Sequence, residues 1–372
     1  MIQRIFISAG EVSGDFHAAD VMRSLKTKDP NIMFYGLGGD KMELEGMELI
    51  EHCDQLAVMG LGEVLIKYKF FSTLIKNIIN QIRENPPTVA LLIDYPGLNL
   101  KLAKKINELG VPVYYYIPPK IWAWRYNRIR ILKKYVNGVF SIFPFEAKLL
   151  SSEGLRVEYV GNPLISQINN NSLGSTELPW GNGKKIALLP GSREQEIKQI
   201  FPIMLEASKK LLNSNNASFL IASPNENISL RIKSFDLSDQ CQVITGQTHK
   251  ILHEADLAII TSGTATLEAA ILGTPHVLVY RTSGLTYLMS KLFLKTKYIG
   301  LVNILANKFV SSELIQKNCS AQQIVSEVND LLNNHPKRSH MIEEFRSLYK
   351  KLGSNNSSNI VADRLIEATY SN

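Results

Sequence analysis

Ile186-Ala187-Leu188-Leu189 is a short, uniformly apolar run that ends in Pro190-Gly191 and passes into Ser192-Arg193-Glu194-Gln195-Glu196-Ile197. A run so short and so apolar fits a strand buried on both faces, as parallel sheets require. Ser192 with Gln195 three residues on predicts a helix opening at Ser192 with a capping box. Strand, tight turn and helix form the unit from which parallel α/β sheets are wound, and ligands gather at its turns. Gly191, Ser192 and Arg193 would offer free backbone N–H groups, a hydroxyl and a guanidinium at one point. That chemistry suits a phosphate or diphosphate. A capped helix with a solvent-facing arginine is the other reading, and this stretch alone does not separate the two.

The unit recurs along the chain. Ile5 to Gly10 is a strand running into Glu11-Val12-Ser13-Gly14-Asp15, with a helix to about Lys26. The turn lacks the G-x-G-x-x-G spacing, so a dinucleotide is not supported. Phe34 to Gly39 is a second strand, and Val89 to Ile93 a continuous apolar run ending in Asp94-Tyr95-Pro96-Gly97. Asp94 either caps the helix beginning near Leu98 or serves as a general base, since open α/β sheets place their sites at such strand ends. Further strands are predicted at 186–189, 218–222, 242–244, 257–260 and 276–280, and the chain from Ser312 onward reads as helical apart from the Asn/Ser-rich turn at 353–359. Leu257 to Thr261 delivers a second small-residue turn, Ser262-Gly263-Thr264, into a helix stopped by Gly273 and Pro275. Two such turns in one half favour nucleotide binding, with Glu268 offering two acceptors to vicinal ribose hydroxyls. His17, His249 and His253 read as packing or surface residues rather than as a base or metal ligands.

At 372 residues the chain is too long for one ordinary core, and the Asn/Ser/Gly/Thr-rich stretch 166–184 is the best linker between two domains. The net charge of +7 points to an anionic partner. Residues 110–145 contain no acid but six Lys and Arg, Arg125 among them, interleaved with Trp122 and Trp124; residues 269–312 are acid-free as well. No nucleic-acid module surrounds either stretch, so a phosphorylated lipid or sugar suits them better than nucleic acid. The stretch around Phe70 and Phe71 is an amphipathic helix that either faces the core or meets an anionic membrane and grips acyl chains. Three widely spaced cysteines indicate neither a disulfide framework nor a zinc site. With no signal-peptide pattern and no apolar run near the roughly 18 residues of a membrane span, a cytoplasmic protein is expected.

Taken in order, several segments resemble one family. They are Ser8 to Asp15, Leu56 to Gly60, Ile93 to Gly97, Trp122 to Arg125, Leu188 to Arg193, Ser262 to Ala265 and Asn303 to Ala306. Each is weak alone, but the ordered set is specific and spans nearly the whole chain. It is similar to the lipid-A-disaccharide synthases, glycosyltransferases of GT-B type with two Rossmann-like lobes and an active site in the cleft between them. The resemblance implies an N-terminal acceptor-binding and membrane-facing lobe over 1–165 and a UDP-sugar lobe over 184–345. A helical segment, 346–372, would pack back on the first lobe or on a partner subunit of a homodimer. It further implies transfer from UDP-2,3-diacylglucosamine to 2,3-diacylglucosamine 1-phosphate on the inner membrane, with no metal or cofactor. Asp94 or Glu11 would be the base. Gly191, Ser192, Arg193, Ser262, Gly263, Thr264, Glu268 and Asn303 would meet the nucleotide. Trp122, Trp124, Arg125, Phe70 and Phe71 would face acceptor and membrane. Two departures stand out: Pro118-Pro119-Lys120 replaces the usual Ser-Pro-Gln or Ser-Pro-Ser, and Gly161-Asn162-Pro163 the usual Gly-His-Pro. A UDP-sugar 2-epimerase, a muramyl-type glucosaminyltransferase, or a non-catalytic nucleotide-sugar or lipid binder would share the architecture.

Overall fold

The computed structural model describes residues 3–57, 64–123, 125–170, 176–214, 216–237, 241–283, 296–353 and 356–370. The chain divides into two compact units, residues 1–166 with 354–372, and residues 167–353.

The first unit holds seven strands: β1 (Arg4–Ala9), β2 (Met33–Gly38), β3 (Met47–His52), β4 (Val89–Ile93), β5 (Val113–Tyr116), β6 (Gly138–Ser141) and β7 (Val157–Tyr159). They pair in the order β3-β2-β1-β4-β5-β6-β7, all parallel. Alternation decides which face each residue serves. Ile5, Ile7, Val89, Leu91 and Ile93 pack with helix Val12–Lys28. Phe6, Ala90 and Leu92 pack on the other side with helices Val64–Glu84 and Pro96–Asn107. Both faces are covered, which is why these strands read as unbroken apolar runs. Each such Leu or Ile buried contributes roughly 1.5–3 kcal/mol.

The second unit holds six parallel strands: β8 (Lys184–Leu189), β9 (Ala217–Ser223), β10 (Cys241–Thr245), β11 (Leu257–Thr261), β12 (His276–Tyr280) and β13 (Glu313–Ile315), ordered β10-β9-β8-β11-β12-β13. Ile186, Leu188, Leu257 and Ile259 face helix Glu194–Ser214. Ala187, Leu189, Ala258 and Ile260 face the opposite side, with Ile251 and Leu252. β13 corrects the reading of everything beyond Ser312 as helical. It is three residues long, too short to show a period, and exists through its register with Leu278 to Tyr280 of β12.

Helix His335–Leu352 belongs to the second unit and ends at Gly353, whose φ of +64° suits glycine. The chain then contributes helix Ser357–Tyr370 to the first unit, where Val361, Ala362 and Leu365 join the core beside helix Val12–Lys28. Arg364 grips Glu158 through two bonds of 2.7 and 3.0 Å, and Lys28 meets Asp363 at 2.5 Å.

Candidate active site

In each sheet the strand order reverses once, between β1 and β4 and between β8 and β11. The helices that leave the two strands at a reversal cover opposite faces, so a crevice opens at the strands' C-terminal ends. The turns singled out in the sequence all sit at these two points.

At the first reversal β1 ends in Gly10-Glu11 and β4 in Asp94-Tyr95. Asp94 and Tyr95 both have positive φ, 44° and 43°, a conformation that non-glycine residues hold only when the surroundings impose it. The imposing group is Asn99, fully buried, which the sequence analysis did not single out. Its Nδ2 donates to the carbonyls of Ile93 at 3.0 Å and Asp94 at 2.9 Å, while its Oδ1 accepts from Ser8 Oγ at 2.7 Å. Tyr115 Oη adds a 2.6 Å bond to the Asp94 carbonyl, and Tyr95 Oη donates to Leu56 O at 3.1 Å. Gly10 lies against the Tyr95 ring so closely that a Cβ there would come within 2.2 Å of Cδ1. Burial raises the Asp94 pKa from its ordinary value, opposed by Lys120 and the Tyr95 N–H. Glu11 is exposed at the start of helix Val12–Lys28; burial raises the neighbouring Tyr95 phenol, and the Glu11 charge adds to that shift. Asp15, by contrast, is a buried brace that accepts from the N–H groups of Gly39, Lys41 and Met42.

The aromatic residues expected at acceptor and membrane do not share one role. Trp122 donates its Nε1–H to Glu146 Oε1 at 2.9 Å and meets Phe145 edge to face. Glu146 is buried, also accepts from Ser141 Oγ at 2.7 Å, and has its pKa raised by desolvation to about 7. Trp122 is half-buried and has a fixed partner inside the unit. Trp124 lies outside the described residues. Arg125 is exposed with φ of +52°. Phe70 is at the surface, whereas Phe71 packs against the core, with the two rings 5.4 Å apart. His17 is a packing residue, edge-on to Tyr116, with burial lowering its pKa to about 4. Asn162, where the family has His, is buried and donates weakly to Ile142 O at 3.4 Å while accepting from Leu164 N at 3.1 Å.

At the second reversal β8 runs into Pro190 to Arg193 and β11 into Ser262 to Thr264. The helix after β8 opens at Glu194, two residues later than the capping-box pattern predicts, so Ser192 lies in the turn rather than at the cap. Gly191 has φ of +111°, so this position requires glycine, and a Cβ there would also displace the Glu196 carboxylate, whose Oε2 would lie 2.6 Å away. Arg193 is 78% exposed and only 3.6 Å from Glu196, a surface pair too weak to hold it from an anion. Ser262 N donates to Val279 O at 3.2 Å, and Thr266 Oγ1 to Gly263 O at 2.9 Å, fixing the second turn before helix Ala265–Ile271. Gly263 and Thr264 are exposed there. Glu268 is half-buried with one oxygen 3.2 Å from His249 Nε2. His249, read as a packing or surface residue, is therefore the residue that orients Glu268.

Asn303 is corrected from an expected nucleotide contact to a loop anchor. It is buried, donates to Ser311 O and Glu313 Oε1 at 2.8 Å each, and accepts from the N–H groups of Val310 and Ser311. An amide so fully engaged has nothing left for a ligand. His52, Cys53 and Asp54 bring ligand-type atoms within 4.8 Å of one another, a group the sequence spacing did not suggest. Burial and nearby Asp15 push the Cys53 thiol up to about 11, so it stays protonated and is a poor ligand.

The family model for lipid-A-disaccharide synthetase matches residues 5–364. The chain belongs to the lipid-A-disaccharide synthase family. The synthase of Myxococcus xanthus is 33% identical over 378 residues, covering 98% of this chain and 97% of that protein. A Coxiella burnetii synthase is 36% identical over 363 residues, with 96% of each covered. A structure described as a UDP-N-acetylglucosamine 2-epimerase from Listeria monocytogenes superposes with a TM-score of 0.68, covering 98% of this chain and 95% of that one. At 14% identity that likeness shows the two-unit GT-B fold alone. Family membership makes the chain a glycosyltransferase of lipid A disaccharide synthesis and sets aside the epimerase, muramyl and non-catalytic readings. Its substrates are of two classes, a nucleotide-sugar donor and a phosphorylated sugar acceptor.

Proposed function

We propose that the chain transfers 2,3-diacylglucosamine from its UDP derivative to O6 of 2,3-diacylglucosamine 1-phosphate, with inversion and release of UDP. The base removes the proton from the acceptor 6-hydroxyl as O6 attacks the anomeric carbon. The bond from that carbon to the diphosphate oxygen breaks, and the product is the β-1,6-linked disaccharide 1-phosphate. Acceptor chemistry belongs to the first unit and donor chemistry to the second. The observation that carries the reading is Asp94, whose backbone is clamped at a sheet reversal and whose carboxyl pKa is raised by burial. A raised pKa makes it a stronger base than an ordinary aspartate. Glu11, exposed beside Tyr95, stands as the second acid of that crevice. The turns at 191–193 and 262–264 supply N–H groups, hydroxyls and the Arg193 guanidinium for the diphosphate, and Glu268, held by His249, takes the ribose hydroxyls.

Acylated substrates require access to a lipid surface, and the reading places the enzyme peripherally on the cytoplasmic side of the inner membrane, as a homodimer. No helix among the described residues is long and apolar enough to cross a membrane. The test is steady-state turnover of two variants with the diacylated donor and acceptor. Asp94→Asn should lose about 10²–10⁴ in kcat with UDP affinity retained, the range for removing a general base. Glu11→Gln should lose less; the reverse ranking would transfer the role of base to Glu11.

A further inference from the structure

A groove of about 590 Å³ opens in the first unit between helices Val64–Glu84 and Pro96–Asn107. This size lies within the roughly 300–1,000 Å³ of small-molecule sites. Its walls are apolar, formed by Phe71, Ile75, Leu98 and the Tyr95 ring, and its rim carries Lys76, Lys101 and Lys105. The sequence explains the arrangement: Gly97, Lys101 and Lys105 recur every four residues along one face of their helix, and Ser72 and Lys76 do the same on the other. A seam between two packed helices ordinarily presents apolar side chains from both. Here it presents three cations, and among the described residues none of them has a carboxylate partner within 4.0 Å, although the adjacent Lys104 pairs with Glu108. Three unpaired cations around an apolar-walled groove match a ligand with an acyl chain and an anionic group close together. The groove also ends on Tyr95 and Gly97, the residues that follow Asp94.

We infer that this groove is the acceptor's subsite: one acyl chain lies between the two helices, and Lys76, Lys101 and Lys105 hold the 1-phosphate at the rim. The inference rests on the reaction proposed above and adds to it the residues that select a phosphorylated, acylated acceptor. The donor is the poorer occupant, because its diphosphate is assigned to the turns of the second unit. A bilayer surface is poorer too, because a concave groove beside the base encloses one chain rather than lying on many.

Kinetics of the full chain with detergent-dispersed substrates test it. Lys101→Gln with Lys105→Gln should raise the acceptor KM about tenfold or more, as expected for losing charge-assisted hydrogen bonds to phosphate. The donor KM should hold, Arg at both positions should restore much of the loss, and the variant should no longer prefer the phosphorylated acceptor to its dephosphorylated form. Gly97→Leu is the second probe. A Cβ at Gly97 meets no atom within 4 Å, so the backbone accepts the change and the side chain grows into the groove. It should raise KM for a long-chain acceptor and spare a short-chain one. An active wild type whose acceptor KM is unmoved by both variants would overturn the inference. So would a rise in the donor KM instead, or an effect confined to binding of phospholipid vesicles. A wild type that makes no disaccharide would remove the proposed reaction itself, and this subsite with it.

Discussion

Asp94 combines two costs that packing alone does not explain, a left-handed backbone and a carboxylate raised in pKa by burial. Both are expected where function rather than stability sets the residue. Because its folded pKa lies above the ordinary value, the ionised side chain destabilises the fold as pH rises through and beyond that window. Asp94→Asn should therefore melt higher than wild type at neutral pH and show little gain below pH 4, while losing turnover; equal melting at both pH values would contradict the assigned burial. Glu146 follows the same sign over a wider window, from the ordinary 4.5 to about 7. In Glu146→Gln the amide oxygen keeps the Trp122 bond and the NH2 turns to Ser141 Oγ, whose proton is then free for Phe143 O at 3.1 Å. Thermal melts should show this variant gaining on wild type from pH 5 to pH 8 and not at pH 4. Asp94 was legible because it ends an apolar run. Asn99 was not, since its partner Ser8 lies 91 residues away and no local pattern announces a buried amide that clamps a turn.

At the scale of elements, strand runs and small-residue turns were read correctly because both faces of a parallel strand are apolar and its turn must be small. What the sequence hid were elements defined by partners: β3, a half-exposed edge strand set by its register with β2, β13, set by its register with β12, and the start of helix Glu194–Ser214, where a capping pattern lost to the turn. The family motif around Asn303 likewise suggested a ligand contact where the chain uses the amide to fasten the loop before β13. The β1 turn offers a direct test of the element-level account. Gly10→Ala forces a methyl to within 2.2 Å of the Tyr95 ring, so either the ring or the turn must move. A loss of about 1–3 kcal/mol is expected for overpacking, together with a raised acceptor KM; an unchanged melting temperature and KM would show that the β1–β4 crevice is looser than described.

The whole molecule is two parallel α/β units, each with a reversal of strand order and each carrying half of the proposed chemistry. Two domains and their fold class were legible from length and alternation. The family resemblance implied a returning segment over 346–372; helix Ser357–Tyr370 joins the first unit, whereas the chain to Gly353 belongs to the second. The net charge of +7 bears on the membrane proposal, since basic residues near an anionic surface contribute about 1 kcal/mol each. The protein should sediment with anionic liposomes at low salt and be partly released at high salt, and failure to sediment at low salt would remove the peripheral-membrane proposal.

The central claim is the transfer itself. Incubating the purified chain with UDP-2,3-diacylglucosamine and 2,3-diacylglucosamine 1-phosphate, followed by mass spectrometry, tests it most directly. The account predicts a tetra-acylated disaccharide carrying one phosphate, formed in equal amount to UDP and about 10²–10⁴ times more slowly with Asp94→Asn. UDP released without a disaccharide, or both substrates recovered unchanged, would contradict it.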